Sequence, residues 1–149
     1  MGKYFEDFEA GEEYVSLSRT VTEADVYNFA GFTGDWSPVH TSIEFCKKGL
    51  FGERIAHGAI TITLAEGLLN RLCLWDDTFM GIVDRSWDFK NPVRFGDTLS
   101  VKLKIIGKQE SDQYPTCGII EREITTVNQR NEVVTEGKGK ILVLKKRKG

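Results

Sequence analysis

The chain is predicted to be an α+β domain in which an antiparallel β-sheet packs against one long, buried α-helix. Helix-like patterns are bunched in the first half of the chain, and four strand-like runs follow one another in the second half. Between them lies one segment that is apolar on nearly every side. We expect a single domain over residues 1–149, because the sequence shows no internal repeat, no low-complexity linker and no sign of a second domain.

The first half is predicted to begin with a strand and to continue with helices. Residues 13–20 alternate between apolar and polar side chains, as in a strand with one buried side. Thr22 stands three residues before Asp25, which is typical of a capping box at the start of a helix. Thr41 and Glu44 repeat that spacing and predict a second, shorter helix.

The central helix and the strands of the sheet are predicted from the rest of the chain. Residues 55–69 are apolar around most of the helical circumference, which is typical of a buried helix. The four strand-like runs, separated by turn-forming residues, cover residues 80–90, 98–108, 116–127 and 133–145. Consecutive strands joined by short turns pair as antiparallel neighbours, so one antiparallel sheet is expected.

Composition and charge limit the classes of function. The formal net charge of −2 at pH 7 argues against a general nucleic-acid-binding protein. No apolar run approaches the roughly 18 residues that a membrane span needs. The three cysteines are far apart and, with the absence of a signal peptide, they predict a reduced, cytoplasmic protein. A structural zinc site is not expected, because the chain has only two histidines and no close cluster of cysteines and histidines.

The segment from Thr33 to His40 carries the strongest functional signal. It places Asp35 five residues before His40, between Gly34, which permits a tight turn, and Pro38, which restricts its own φ and the preceding residue. We therefore expect both side chains to project from a rigid loop rather than from a regular helix. A carboxyl and an imidazole that converge there could activate a water molecule and deliver a proton. The spacing alone equally allows a loop-bracing aspartate and a structural histidine.

Three motifs resemble those of the MaoC-like dehydratase family, which includes the R-specific enoyl-CoA hydratases with the hot-dog fold. They are Gly-Asp-Trp-Ser-Pro-Val-His at 34–40, Ala-His-Gly at 56–58 and Phe-Gly-Asp-Thr-Leu at 95–99. The resemblance implies a sheet wrapped around a long central helix and a homodimer or larger homo-oligomer. It also implies reversible addition of water to a trans-2-enoyl-CoA, giving an (R)-3-hydroxyacyl-CoA, with no metal and no cofactor beyond the coenzyme A of the substrate.

The resemblance implies roles for individual residues. Asp35 and His40 would share the attacking water, and the backbone N–H of Gly58 would bind the thioester carbonyl at the start of the central helix. The alternative for Gly58 is a glycine that close packing requires. His57 is predicted to be a hydrogen-bonded structural histidine. Glu66 either lines the acyl pocket, where it would recognise a polar or charged substrate group, or pairs across a subunit contact.

Three positions depart from the family pattern, and the departure at Cys46, where a small Ala or Ser is usual, is a mild one. Ser37 stands where Asn is usual, so a shorter hydroxyl replaces the amide that could brace the loop, and Glu66 stands in the place of a Ser. Two other functions therefore stay open: a hot-dog acyl-CoA thioesterase, and a non-catalytic acyl-CoA-binding subunit. A thioesterase would attack the thioester carbonyl and release free coenzyme A, whereas hydration liberates no thiol.

Overall fold

The first half of the chain folds into two short strands and four helices. A 3-10 turn over Phe5–Asp7 precedes β1 (Glu13–Val15), β2 (Arg19–Thr20), α1 (Glu23–Thr33), α2 (Pro38–Thr41), α3 (Ile43–Lys47) and α4 (Gly58–Asn70). The computed structural model describes residues 2–147. The predicted cap of α1 is confirmed, since the Thr22 side chain accepts from the Asp25 N–H and the Asp25 carboxylate accepts from the Thr22 N–H.

The second half forms the four long strands that its alternating pattern predicts. They are β3 (Phe79–Phe89), β4 (Thr98–Glu110), β5 (Cys117–Val127) and β6 (Val133–Leu144). All strand pairs are antiparallel, in the order β1-β4-β5-β6-β3, and β2 also pairs with β4. Because β3 pairs with β6 rather than with its neighbour in sequence, it forms one edge of the sheet.

The prediction of a single strand over residues 13–20 was wrong in one respect, because this segment forms two strands, β1 and β2. Ser16 causes the division: its hydroxyl oxygen accepts a hydrogen bond from the Val101 N–H at 2.9 Å. A side-chain oxygen thus takes the place of a backbone carbonyl in the ladder to β4. The chain then resumes pairing with β4 at Arg19.

The predicted cap of α3 was also wrong. Ser42 caps this helix by accepting from the Phe45 N–H at 3.2 Å, and Thr41 instead ends α2. The Thr41 hydroxyl donates back to the carbonyls of Trp36 and Ser37. The one-turn helix α2 is too short to leave a periodic pattern in the sequence. Because Thr41 belongs to α2, the N-cap of α3 is Ser42, one residue later than predicted.

Helix α4 packs one side on the sheet. Its Ala65, Leu68 and Leu69 are buried and contact core side chains of the strands, including Leu103 and Ile120. The opposite side exposes small residues, so the predicted buried helix is buried on the side that faces the sheet. Among residues 2–147, no helix combines the length and the apolar character that a membrane span requires.

The start of α4 lies three residues later than the predicted boundary. Ile55 forms a bridge with Arg94, and the Ala56 N–H donates to the Val93 carbonyl at 2.8 Å. These bonds keep the chain extended up to His57, which is the N-cap of α4. The result places Gly58 at the first position of the helix.

Candidate active site

Asp35 is held at the end of α1 by a local turn. Gly34 has φ +80°, which favours glycine, and its N–H donates to the Ala30 carbonyl at 2.8 Å, so the helix ends there. The hydroxyl and the N–H of Ser37 both donate to the Asp35 carboxylate, at 2.6 and 3.2 Å. These two bonds hold the pKa of Asp35 below its usual value, and the nearby imidazoles of His57 and His40 act in the same direction. Asp35 is therefore ionised at neutral pH.

His40 lies in α2, so the expectation that it would project from an irregular loop was wrong. Pro38 occupies the first turn of this helix, where its missing N–H costs nothing. The His40 side chain is almost fully buried, and its Nδ1 lies 2.7 Å from the Ile55 carbonyl oxygen. Because a carbonyl can only accept, Nδ1 carries the proton, and in the neutral ring Nε2 keeps a free lone pair. His40 is thus arranged to act as a base through Nε2.

His57 is a buried, hydrogen-bonded histidine, as predicted. It is 2% exposed, and its Nε2 lies 2.9 Å from the backbone oxygen of Asp35, to which it donates. Its ring stacks on the ring of His40, with centroids 3.8 Å apart. His57 therefore ties the start of α4 to the loop that carries Asp35 and also supports the ring of His40.

The fold brings Asp35, His40 and His57 together. A carboxylate oxygen of Asp35 and one ring nitrogen of each histidine lie within 4.8 Å of one another. This set has the chemistry of a metal ligand set. However, the Nε2 of His57 lies 3.9 Å from the Asp35 carboxylate and already donates its proton to the Asp35 carbonyl, so binding a metal there would break that bond. The three side chains therefore form one polar cluster beside the start of α4.

Gly58 begins α4 and borders an open cleft. Its N–H has no acceptor within residues 2–147, as is usual at the first position of a helix. A Cβ on Gly58 would lie 2.9 Å from the Phe89 ring, so packing also requires a glycine here. Gly58, Thr61, Phe89 and Thr135 are among the residues that line the cleft, whose volume is about 290 Å³. Asp35 and His40 do not line it, and the two parts of the site meet at the start of α4.

Glu66 lies away from this pair, two turns along α4 from Gly58. Its carboxylate accepts from the Arg122 guanidinium at 3.2 Å and is 3.1 Å from the Arg85 guanidinium. Burial lowers the pKa of Arg122, which is 2% exposed, and the Glu66 carboxylate opposes that effect. Glu66 is therefore paired within its own chain.

Residues 7–128 match the family model described as MaoC like domain, which spans most of the chain. This chain belongs to the MaoC-like family. It is 31% identical over 140 residues to an (R)-specific enoyl-CoA hydratase from Rhodospirillum rubrum, and the match covers 94% of this chain and 91% of that protein. The predicted family is thereby confirmed.

Solved structures place this MaoC-like domain in the hot-dog fold. The crystal structure of a MaoC-like dehydratase from Rhodospirillum rubrum is 29% identical, with a TM-score of 0.88 over 99% of this chain and 100% of that one. A protein from Mycobacterium tuberculosis with a double hotdog fold gives a TM-score of 0.84 over 99% of this chain and 47% of that one. At 17% identity, the second likeness shows the fold alone.

Two residues of this MaoC-like site were not recognised from the sequence. Ser37 was read as a loss of bracing, yet its hydroxyl binds the Asp35 carboxylate directly. The Asp-x-Ser spacing, which is typical of an Asx turn, could have indicated this contact. Phe89 contacts Gly58 from a strand 31 positions further along the chain, and no local signal in the sequence predicts that contact.

Proposed function

We propose that this chain reversibly hydrates a trans-2-enoyl-CoA to an (R)-3-hydroxyacyl-CoA. The convergence of Asp35 and His40 beside the start of α4 supports this proposal, because water addition requires two proton movements at one place. The full-length relative from Rhodospirillum rubrum, which is named for this activity, is consistent with it.

The pair would act on a water molecule held between Asp35 and His40. One member takes a proton from the water while the water oxygen bonds to the β-carbon and the double-bond electrons move toward the thioester. The protonated member then delivers its proton to the α-carbon, which regenerates the pair. An ionised Asp35 and a neutral His40 with a free Nε2 are the states that permit the first step. The addition of water involves no net oxidation or reduction, so this reaction needs no redox cofactor.

The N–H of Gly58 would bind the thioester carbonyl. That oxygen gains negative charge as water adds to the β-carbon, and the positive end of the α4 dipole lies at Gly58. One such donor typically accelerates a reaction by about 10²–10³. The absence of a side chain also lets the thioester approach the helix closely.

We also propose that two copies of the chain form a homodimer through the edge strand β3. Within residues 2–147 this strand pairs only with β6, and it exposes Phe79, Met80, Ile82 and Val83 by 39–51% of their surface. Unpaired apolar edges are usually covered in soluble proteins. In the isolated chain Asp35 is half exposed, and neither it nor His40 lines the cleft at Gly58. A second copy would enclose both parts of the site.

Replacing the acid–base pair tests the proposed reaction. Asp35→Asn and His40→Ala should each lower the hydration rate of a trans-2-enoyl-CoA by at least about 10²-fold, since each removes one proton-transfer group. The rate is followed as the loss of absorbance of the conjugated thioester, and chiral analysis identifies the (R) product.

Asp112→Asn is a matched control, because it removes an exposed carboxylate from a distant turn and should leave the rate unchanged. A thiol reagent in the same assay separates hydration from thioester cleavage. Folded variants at Asp35 and His40 with near-normal rates, or release of a free thiol without hydration, would contradict the proposal.

A further inference from the structure

On three neighbouring strands, the residues that face α4 lie opposite one another and form rows across the sheet. Read across β3, β6 and β5, the rows are Phe89, Thr135 and Thr126, then Trp87, Gly137 and Ile124, then Arg85, Gly139 and Arg122. The first row reaches the cleft beside Gly58, which Phe89 and Thr135 line. Successive rows are about 6–7 Å apart. The side chains therefore form a continuous surface from the cleft to the two arginines.

Several polar atoms on this surface have no hydrogen-bond partner. We call Thr126, Thr135, Trp87 and Arg122 the polar strip. Within residues 2–147, the hydroxyls of both threonines, the indole N–H and the Arg122 Nε–H are buried and have no hydrogen-bond partner. Thr126, Thr135 and Arg122 are each at most 2% exposed. Since each unpaired buried polar atom is destabilising, four of them on one surface mark a place where bound water or a ligand supplies the missing partners.

The far end of the strip carries an excess of positive charge. Arg85 and Arg122 flank Gly139 and share the single carboxylate of Glu66, which leaves one guanidinium charge unbalanced. The acidic residues of β5, Glu121 and Glu123, alternate with Arg122 and lie on the other side of the sheet. The excess charge lies about 12 Å along α4 from Gly58, because eight residues separate Gly58 from Glu66.

We propose that the acyl pocket of this chain takes an enoyl-CoA whose acyl group ends in a carboxylate, which Arg122 and Arg85 bind. This inference rests on the proposed hydratase function and names its substrate class. The thioester lies at Gly58, and the acyl chain runs between α4 and the three rows. The carboxylate accepts a hydrogen bond from the unpaired Arg122 Nε–H and balances the second arginine, while the acyl chain passes the rows that carry Thr135 and Trp87.

The test compares matched pairs of enoyl-CoA thioesters. Each pair has the same acyl length, short or medium, and one member ends in a methyl group while the other ends in a carboxylate. The wild-type protein should give kcat/KM at least about tenfold higher for the carboxylate member at one or more lengths, as a charge-assisted hydrogen bond would produce. A methyl preference, or equal values at every length, would overturn the inference and leave the hydratase function standing.

Arg85→Gln should abolish the preference by lowering kcat/KM for the carboxylate-ended members at least about tenfold. This variant keeps the Arg122–Glu66 pair, so no buried arginine loses its partner. Lys140→Gln is the matched control, since it removes one cation from the neighbouring strand on the side facing away from α4. The control should retain the preference; loss of the preference in Lys140→Gln alone would contradict a role for Arg85.

A binding measurement separates specificity from chemistry. Saturated acyl-CoA thioesters, which cannot be hydrated, are titrated in the same methyl and carboxylate pairs. Tighter binding of the carboxylate member, lost in Arg85→Gln, would uphold the inference even if no enoyl-CoA were hydrated. Equal binding of both members would refute it whatever the result of the hydration assay.

Discussion

The charge of Asp35 and the proton position of His40 are both set by short contacts. Two bonds from Ser37 keep the Asp35 carboxylate ionised, and the Ile55 carbonyl orients the His40 ring with Nε2 free. The motif alone predicted which two residues would act together. It did not predict their partners, because the Ile55 carbonyl comes from a segment 15 residues further along the chain.

Removal of the Ser37 hydroxyl should change the pH dependence of the reaction. Ser37→Ala deletes the shorter bond to the Asp35 carboxylate, which stabilises the charged form, so the pKa of Asp35 should rise toward its ordinary value of ~3.9. The acidic limb of the kcat/KM profile should therefore move to higher pH, since more Asp35 is protonated at any given acidic pH. The measurement is a pH–rate profile of both proteins.

Ser18→Ala is the control for this profile, because Ser18 lies in an exposed link between β1 and β2. Its profile should match that of the wild-type protein. An acidic limb of Ser37→Ala that stayed in place or moved to lower pH would show that Ser37 does not control the charge of Asp35.

Helix α4 joins the two parts of the site, since His57 occupies its N-cap position and Gly58 begins it. Its existence was predictable from an apolar segment, and the four long strands were predictable from alternation along the chain. The boundaries were less predictable: Ser16 interrupts a strand, and backbone bonds from Val93 and Arg94 delay the start of α4. These effects depend on partners that are distant in sequence.

Two glycine substitutions in helices should have opposite effects on stability. In Gly58→Ala the new Cβ would lie 2.9 Å from the Phe89 ring, so overpacking should destabilise the protein by about 1–3 kcal/mol and lower turnover. In Gly31→Ala, within α1, the nearest atom is a Trp36 ring carbon at 3.9 Å. That variant should gain about 0.5–1 kcal/mol, because alanine loses less backbone entropy in a helix. Denaturant unfolding measures both free energies.

Comparison of the two variants separates packing from helix propensity. If Gly58→Ala proved as stable as Gly31→Ala, the Phe89 ring would move without cost and packing would not explain the glycine. Unchanged turnover in a stable Gly58→Ala would contradict the proposed approach of the thioester to Gly58.

The arrangement of the whole sheet leaves β3 as an uncovered edge with exposed apolar side chains. This position could not be read from the strand pattern, because β3 is separated from its partner β6 by two other strands. The exposed edge is the basis for the proposed homodimer.

A charge on this edge should separate the copies. Ile82→Lys, at a side chain that is 51% exposed on β3, should shift the protein toward the monomer in sedimentation velocity and lower hydration activity together. Val15→Lys makes the same change at a 64% exposed side chain on β1, at the opposite edge of the sheet. Val15→Lys should remain dimeric and active. Dissociation of both variants, or of neither, would place the interface elsewhere.

Local patterns in the sequence predicted the α+β class, the long strands, the apolar helix that packs on the sheet and the Asp35–His40 pair, because each depends on periodicity or on a short motif. The folded chain was needed to show that His57 supports His40 and that Glu66 lies between Arg85 and Arg122. Sheet register brings Arg85 and Arg122 to either side of Gly139, although 37 positions separate them in the chain. Contacts of that kind follow from strand pairing and packing, which no local pattern specifies.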